Sequence, residues 1–246
     1  MSHAALLLAA GRGSRMAGAV ADKVLAPVGG RAVFAYSVEA FAASGCVGHL
    51  VVVYRDAEQK AALEAVLADC ELGCLSVDWV PGGAERQNSV YAGLSALPCP
   101  TELVFIHDAA RPLITPEQIA RLEKAAQQDD AAVLAHRVVD TIKQVDGTDK
   151  SCERARLTDL ERSRLWAMET PQVFKSTLIC EAYERLRAEQ RTVTDDTAAV
   201  SALGHGVTLV ENREPNPKVT TPGDLAYVAF LLQNRQNGKR GAGASV

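Results

Sequence analysis

The sequence predicts an α/β fold, a doubly wound and mostly parallel β-sheet with helices on both faces. Three observations lead there. Short apolar runs alternate with helical patterns through the front half of the chain, the rhythm of strands joined by crossover helices. The apolar runs are rich in Val, Leu and Ile without strict polar alternation, as expected of strands covered on both faces. The length of 246 residues, 48% of them apolar and 23% charged, suits one large α/β domain or two small ones with cores of their own.

In chain order, strands are expected at Ala4–Ala9, His49–Val53, Ser76–Val80, Leu103–Ile106 and Ala131–Ala135. Helices are expected between them at Val33–Ala43, Ala57–Ala68, Glu85–Leu97 and Pro116–Ala126. In the third helix Val90, Leu94 and Leu97 recur at i, i+4 and i+7, one face of a helix. The apolar run Ala4–Ala10 has no Lys or Arg before it, is short for a signal core and enters Gly11-Arg12-Gly13 directly, so it reads as a buried strand. The alternation breaks at Arg137–Trp166, which is polar and carries charges of both signs around the turn signal Asp146-Gly147-Thr148-Asp149. Residues 138–165 are therefore predicted to form a β-arm that projects from the body.

Beyond the arm, Ser176–Leu186 and Thr194–Leu203 read as helices, the second with Thr194 as N-cap and Asp195 and Asp196 in its first turn. Val207–Val210 reads as a strand. Pro222–Gln233 reads as a closing helix with Leu225, Val228 and Leu232 facing inward. The expected organisation is a single domain over 1–236 followed by a Gly-rich, polar, disordered tail over 237–246.

Bulk properties narrow the partners. The formal net charge is −4 and aromatics are 5%, so neither a basic duplex-binding surface nor an aromatic single-strand platform is expected, and nucleic acid is a poor partner. No stretch is long enough to span a bilayer, and no membrane association is expected. The six cysteines (Cys46, Cys70, Cys74, Cys99, Cys152 and Cys180) form no C-x-x-C pair and read as structural thiols of a reducing, cytoplasmic setting.

Three loops carry candidate chemistry. The first, Ala9-Ala10-Gly11-Arg12-Gly13-Ser14-Arg15-Met16, directly follows the first strand, where open α/β sheets bind ligands. Its glycines let backbone N–H groups approach phosphate oxygens, and Arg12, Arg15 and Lys23 concentrate positive charge locally despite the acidic total. The loop lacks the G-x-x-x-x-G-K-S/T spacing, and Met16 stands where a dinucleotide fingerprint needs its third glycine. Alone it could equally be a tight turn with solvated arginines. The second, Gly82-Gly83-Ala84-Glu85-Arg86-Gln87-Asn88-Ser89, opens a helix and leaves free N–H donors with room for a flat ligand. Ser89 lies one turn in, within reach of a base edge. Its bland counterpart is an ordinary Gly-rich helix start.

The third loop is His107-Asp108-Ala109-Ala110-Arg111-Pro112. Asp108 would sit at the strand's carboxyl edge, able to hold Mg²⁺ or a ribose hydroxyl, and Arg111 offers a forked donor to phosphate. A local Asp108–Arg111 ion pair is the plainer alternative, and His107 reads as a packed, satisfied histidine because no second His stands at metal-ligand spacing. Thr141 and Arg162 fall at the two ends of the arm. With Thr170 and Lys218 they are unremarkable singly. The convergence of three polar or basic strand-terminal loops on one sheet edge predicts an anionic, nucleotide-like ligand held with a divalent metal.

The run L-L-A-A-G-R-G-S-R-M with Lys23 resembles the nucleotide loop of sugar-nucleotide and related nucleotidyltransferases. G-G-A-E-R-Q-N-S-V-Y-A-G-L, H-D-A-A-R-P, V-V-D-T-I-K, R-L-W-A-M-E-T-P-Q-V-F, T-D-D-T-A-A-V and N-P-K-V-T-T-P-G-D-L narrow the resemblance to the 2-C-methyl-D-erythritol 4-phosphate cytidylyltransferases of non-mevalonate isoprenoid biosynthesis. The matches run in order from about Leu6 to Leu232. The resemblance implies a Rossmann-like nucleotidyltransferase fold and in-line attack by an acceptor phosphate oxygen on the α-phosphorus of CTP, with pyrophosphate leaving and Mg²⁺ assisting. Carried over by position, Arg15 and Lys23 would stabilise the transition state, and Lys218 and Arg162 would orient the acceptor. Ala9, Ala10, Gly11, Gly13, Gly83, Ser89 and Asp108 would hold the nucleotide, with Asp108 on its ribose and metal side. Arg111, Thr141 and Thr170 would line the acceptor pocket. The family's arm exchanges between subunits, which implies a homodimer in which Thr141 and Arg162 serve the neighbour's site. One departure stands out. Some relatives carry an acidic residue directly before Asn216, and this chain has Pro215 there, with Glu214 preceding it. Two rivals stay open: a cytidylyltransferase for another polyol phosphate such as ribitol 5-phosphate, and a non-catalytic nucleotide-binding regulatory module.

Overall fold

A computed structural model of the chain describes residues 3–11, 13, 16, 20–145 and 155–242, with side chains omitted for 236 and 238–242. The central sheet has seven strands in the order β11-β7-β10-β6-β1-β4-β5. These are β1 (Ala4–Leu8), β4 (His49–Tyr54), β5 (Ser76–Pro81), β6 (Leu103–Asp108), β7 (Ala131–Arg137), β10 (Trp166–Lys175) and β11 (Thr208–Glu211). β10 runs antiparallel to both β6 and β7, and every other pairing in the sheet is parallel. A short antiparallel pair, β2 (Pro27–Val28) and β3 (Arg31–Ala32), precedes the first helix.

Side chains alternate across the strands and build a core on each face, which is what doubly wound means physically. Ala5, Leu7, Leu50, Val52 and Phe105 point to one face and Leu6, Val51, Val104 and Ile106 to the other. The first face is covered by α1 (Val33–Ser44), α2 (Ala57–Ala68), α4 (Pro116–Asp129) and α7 (Pro222–Ala242), the second by α3 (Arg86–Ser95), α5 (Ser176–Ala188) and α6 (Asp196–Ser201). α1 inserts Phe34, Val38 and Phe41, spaced i, i+4 and i+7, with no exposed surface left on any of them. α4 starts where its sequence directs: Pro116 fills the first helical position, and Thr115 and Gln118 exchange a reciprocal capping pair.

Every strand and helix expected before the arm is present within a few residues of its expected bounds. Three expectations need correction. β10, the long antiparallel strand, goes unread in the sequence because Pro171 lacks an N–H and Glu169, Thr170 and Gln172 are polar. Pro171 lies in a bulge between Met168 and Gln172 where ladder pairing lapses. α6 is capped by Asp195 and not Thr194: the Asp195 carboxylate accepts from Ala198 N–H at 3.0 Å, and Asp196 turns into the core. α7 runs on to Ala242, so residues 237–242 are helical where a disordered tail was expected. A helix anchored over its first turns propagates through Gly238 and Gly241 at a cost of about 1 kcal/mol each. Residues 243–246 lie outside the described residues.

The arm is a two-stranded antiparallel ribbon, β8 (Lys143–Val145) with β9 (Leu157–Asp159), tied across by a Lys143–Asp159 ion pair. Its expected turn at 146–149 lies outside the described residues. Large apolar side chains stand in solvent along the arm and its root, among them Val139 (80% exposed), Leu157 (61%) and Met168 (38%). No helix among the described residues is long and apolar enough to cross a membrane.

Candidate active site

The chain passes from β1 to β4 to β5 on one side and then returns to place β6 against the other side of β1. This reversal opens a crevice beyond the carboxyl ends of β1 and β6, where a doubly wound sheet binds its ligand. Three strand ends feed it. After β1, Ala9 donates its N–H to Val53 O at 2.9 Å, and its own carbonyl accepts from Gln59 Nε2 at 3.0 Å. After β5, Gly82 donates to Tyr54 O at 2.7 Å. β6 ends on Asp108 itself.

Close packing explains the paired glycines. A Cβ on Gly82 would lie 2.7 Å from Ala10 Cβ and 2.8 Å from Ser89 Oγ, and one on Gly83 would lie 2.3 Å from Asn88 Cβ. Neither position has room for any side chain. Ser89 closes the loop by accepting Gly83 N–H at 3.1 Å and donating to Glu85 O at 3.3 Å. Its hydroxyl keeps one lone pair for an incoming donor.

The resulting cavity measures about 700 Å³ and is lined by Ala9, Ala10, Gly11, Lys23, Gly83, Ser89, Asp108 and Lys218, all expected from the sequence. Gly13 sits instead against the Lys23 stem. Lys23 is presented by a braced turn: the neighbouring Asp22 carboxylate accepts from Val24 N–H (3.1 Å), Arg55 Nη1 (3.0 Å) and Gln59 Nε2 (2.6 Å). Arg15, with Arg12 and Ser14, lies outside the described residues.

A second cavity of about 390 Å³ adjoins the first and shares Arg86, Asp108 and Lys218 with it. Arg111 and Thr170 line it, as expected. Arg111 is anchored by donation from Nη1 to Asn216 O at 2.6 Å, while its buried Nε has no partner among the described residues. Burial pulls the Arg111 guanidinium below the ordinary arginine value, against the raising effect of Asp108 and Glu169. The Thr170 hydroxyl accepts Asp108 N–H at 3.0 Å and lies 3.1 Å from His107 Nδ1. His107 Nε2 faces Arg111 O at 3.2 Å, so the ring braces the loop. Burial pushes the His107 imidazole down to about 4, leaving it neutral near pH 7, as the reading of a packed histidine anticipated.

Asp108 pairs with Lys218 Nζ (2.6 Å) and Arg86 Nε (3.4 Å), so the simple Asp108–Arg111 pair does not form. Burial alone would raise the Asp108 carboxyl, but Arg86 and Lys218 outweigh it and hold the group well below the usual carboxylate range. Among the described residues Asp108 Oδ1 meets the long Arg86 contact alone, which leaves lone pairs for a further partner. No cluster of three or more His, Cys, Asp or Glu side chains suited to a metal occurs among the described residues. This donor set fits Mg²⁺ bound mainly through substrate phosphates with one carboxylate, and not a cage made by protein alone.

Thr141 and Arg162 stand apart from both cavities. They are exposed on the arm, where Arg162 Nη1 donates to Val139 O at 3.1 Å. Several site residues were not singled out in the sequence: Arg55 and Arg86 on the first cavity, and Glu169, Gln172 and Asp195 on the second. Glu169 is buried and held by His136 Nδ1 (2.6 Å) and by Asn212 and Asn216 Nδ2 (2.9 Å each). Glu214 does not reach the site, pairing instead with Arg235. For Arg86, Glu169, Gln172 and Asp195 the available signal was their place in motifs already quoted for the resemblance, whereas Arg55 lies in none of them.

The profile of the 2-C-methyl-D-erythritol 4-phosphate cytidylyltransferase family matches residues 3–234. The chain belongs to this family. Its similarity to the cytidylyltransferase of Synechococcus elongatus is 39% identity over 94% of this chain and 96% of that protein. The cytidylyltransferase of Halalkalibacterium halodurans is 36% identical over 96% of this chain and 99% of its own length. Among solved structures, the 4-diphosphocytidyl-2C-methyl-D-erythritol synthase of Anaerococcus prevotii superposes with a TM-score of 0.80 at 26% identity, covering 94% of this chain and 98% of that one. The Thermus thermophilus cytidylyltransferase superposes with a TM-score of 0.72 at 30% identity, covering 95% and 100%.

Proposed function

We propose that this cytidylyltransferase-family chain transfers CMP from CTP to 2-C-methyl-D-erythritol 4-phosphate, giving 4-diphosphocytidyl-2-C-methyl-D-erythritol and pyrophosphate. The observation that carries the reading is the pair of adjoining cavities joined at Asp108 and Lys218. One has the size and glycine-walled backbone surface for a cytidine nucleotide, and the other is smaller and holds an arginine with an unpartnered buried N–H.

In the reaction an acceptor phosphate oxygen attacks the α-phosphorus of CTP as the bond to the β-phosphate oxygen breaks. The acceptor is already an anion, so no protein nucleophile is needed, and positioning with charge neutralisation lowers the barrier. Ala9, Ala10, Gly11 and Gly83 surround the cytosine, and the spare lone pair on Ser89 accepts from its exocyclic amine. Arg15 and Lys23 steady the charge that builds on the departing pyrophosphate. Lys218 and Arg111 hold the acceptor phosphate. Asp108 is the residue that would hold Mg²⁺, which when bound supplies neutralisation of phosphate charge.

The proposal includes a homodimer in which the arm's exposed apolar side chains pack on a second copy, bringing Thr141 and Arg162 to the partner's acceptor cavity. It also includes a cytoplasmic setting, which the free thiols of Cys46, Cys70, Cys74, Cys99 and Cys180 support.

Pyrophosphate release with CTP and methylerythritol phosphate, then with ribitol 5-phosphate, with and without Mg²⁺, tests the reading. Release that needs Mg²⁺ and prefers methylerythritol phosphate is expected. Preference for ribitol phosphate would assign a different acceptor, and no release with either would point to a binding module.

A further inference from the structure

Arg86 stands at the boundary of the two cavities and lines both. It is the first residue of α3, directly behind the Gly82-Gly83 loop. Its Nη1 and Nη2 donate to the two oxygens of Asp196 at 2.9 and 2.7 Å, and its Nε reaches Asp108 at 3.4 Å. A guanidinium carries five N–H donors. These three bonds leave two, on a planar group whose orientation is already fixed.

The group that fixes it is unusual. Asp196 has no exposed surface, yet it is charged-residue chemistry placed in the core. Its carboxylate accepts both Arg86 bonds and a third from Tyr183 Oη at 2.5 Å. Its backbone N–H, with that of Thr197, donates to Gln172 Oε1 at 3.1 Å. A buried pair of this kind contributes little to net stability compared with apolar packing, which leaves it open to a role other than cohesion. Tyr183 and Gln172 come from α5 and β10, so Asp196 is located by two elements besides its own α6 before it grips Arg86.

We propose that Asp196 is a positioning residue that holds the Arg86 fork at the junction of the cavities, where the two spare N–H groups bind the diphosphate linkage being formed. Arg86 touches the oxygens of the α-phosphate and of the acceptor phosphate as they become bridged, and Asp196 acts only through it. Tyr183 supports Asp196 by donating to the second lone pair of Oδ1, beside the one that Arg86 takes. The inference rests on the functional reading above for the identity of the bridged groups, and it makes a claim about coupling that can be tested without the acceptor.

CDP carries a diphosphate of the kind that must cross the junction, so its affinity for the full chain is the first readout. Arg86→Lys keeps the charge and loses the fork, and Asp196→Asn keeps the shape and loses the ion pair. By titration calorimetry each weakens CDP by about tenfold, the scale of one charge-assisted hydrogen bond, and the double variant weakens it no further. Tyr183→Phe, the mildest change, gives a smaller loss and covers the case in which Asp196→Asn fails to fold. In turnover, Arg86→Lys and Asp196→Asn raise KM for CTP in step with the loss of CDP affinity and also lower kcat at saturating CTP by about tenfold or more, with thermal unfolding close to wild type, a combination that a general loss of structure would not give. Additive losses in the double variant, or CDP affinities equal to wild type in both single variants, would overturn the proposal. An absence of turnover in the wild-type chain with methylerythritol phosphate would instead count against the functional reading, while the calorimetric coupling still decides this one.

Discussion

Lys23→Ala lowers kcat by about 10²-fold or more and leaves the fold intact, the scale of one lost transition-state contact. The side chain contributes no core packing: it lines the nucleotide cavity, and its stem lies over Gly13. The turn that carries it is secured by Asp22, which binds Val24, Arg55 and Gln59. Thermal unfolding should therefore match the wild-type chain while steady-state pyrophosphate release collapses. A kcat close to wild type would show that Lys23 is not the group that steadies the leaving pyrophosphate. The same variant reports on the arm. Mixed with Arg162→Ala, it should partly recover activity, because one site of the heterodimer would then carry an intact Lys23 and an intact Arg162 from its partner. An inert mixture of stable heterodimers would remove the exchange of arms from the account.

Lys218→Ala acts through two losses at once, and kcat/KM is expected to fall by about 10³-fold. The ammonium is the shortest contact of Asp108, and it lies on both cavities. Without it the acceptor phosphate loses a cation, and the buried Asp108 carboxylate keeps only the long Arg86 contact as an ion pair. The segment itself stays in place, since Val219 N–H still donates to Ala110 O at 2.8 Å and Asn216 still binds Glu169 and Thr170. The defect should appear mostly as a raised KM for the acceptor with a lowered kcat, measured at saturating CTP. A variant with unchanged acceptor kinetics would detach Lys218 from the acceptor.

Much of the site was legible because its parts are local. Ala9-Ala10-Gly11, Gly82-Gly83 and Asp108 each follow a strand, and the sheet rule alone sends the carboxyl ends of parallel strands to one edge. The residues that escaped notice act over distance. Arg86 at the start of a helix looks like any surface arginine until Asp196, 110 positions later, is folded against it. Asp196 looks like a first-turn carboxylate favoured by the helix dipole, and only the buried Tyr183 and Gln172 show that it faces inward. β10 escaped for a different reason. Strand patterns are recognised by apolar, β-branched residues, and the Glu169-Thr170-Pro171-Gln172 stretch satisfies its polar groups with His107, His136, Asn212, Asn216 and Asp195 instead. The arm's projection was readable from its polar, turn-bearing composition. Among the described residues of a single copy, Thr141 and Arg162 line neither cavity.

The central claim is that basic groups from separate strand ends meet around a cytidine triphosphate, and a crystal structure of the chain with CTP bound tests it most directly. The account predicts cytosine against Ala9, Ala10, Gly11, Gly83 and Ser89, with the Arg15, Lys23 and Lys218 side chains directed at the phosphates. Phosphates bound elsewhere with those three side chains turned away, or a purine nucleotide seated in place of the pyrimidine, would contradict it.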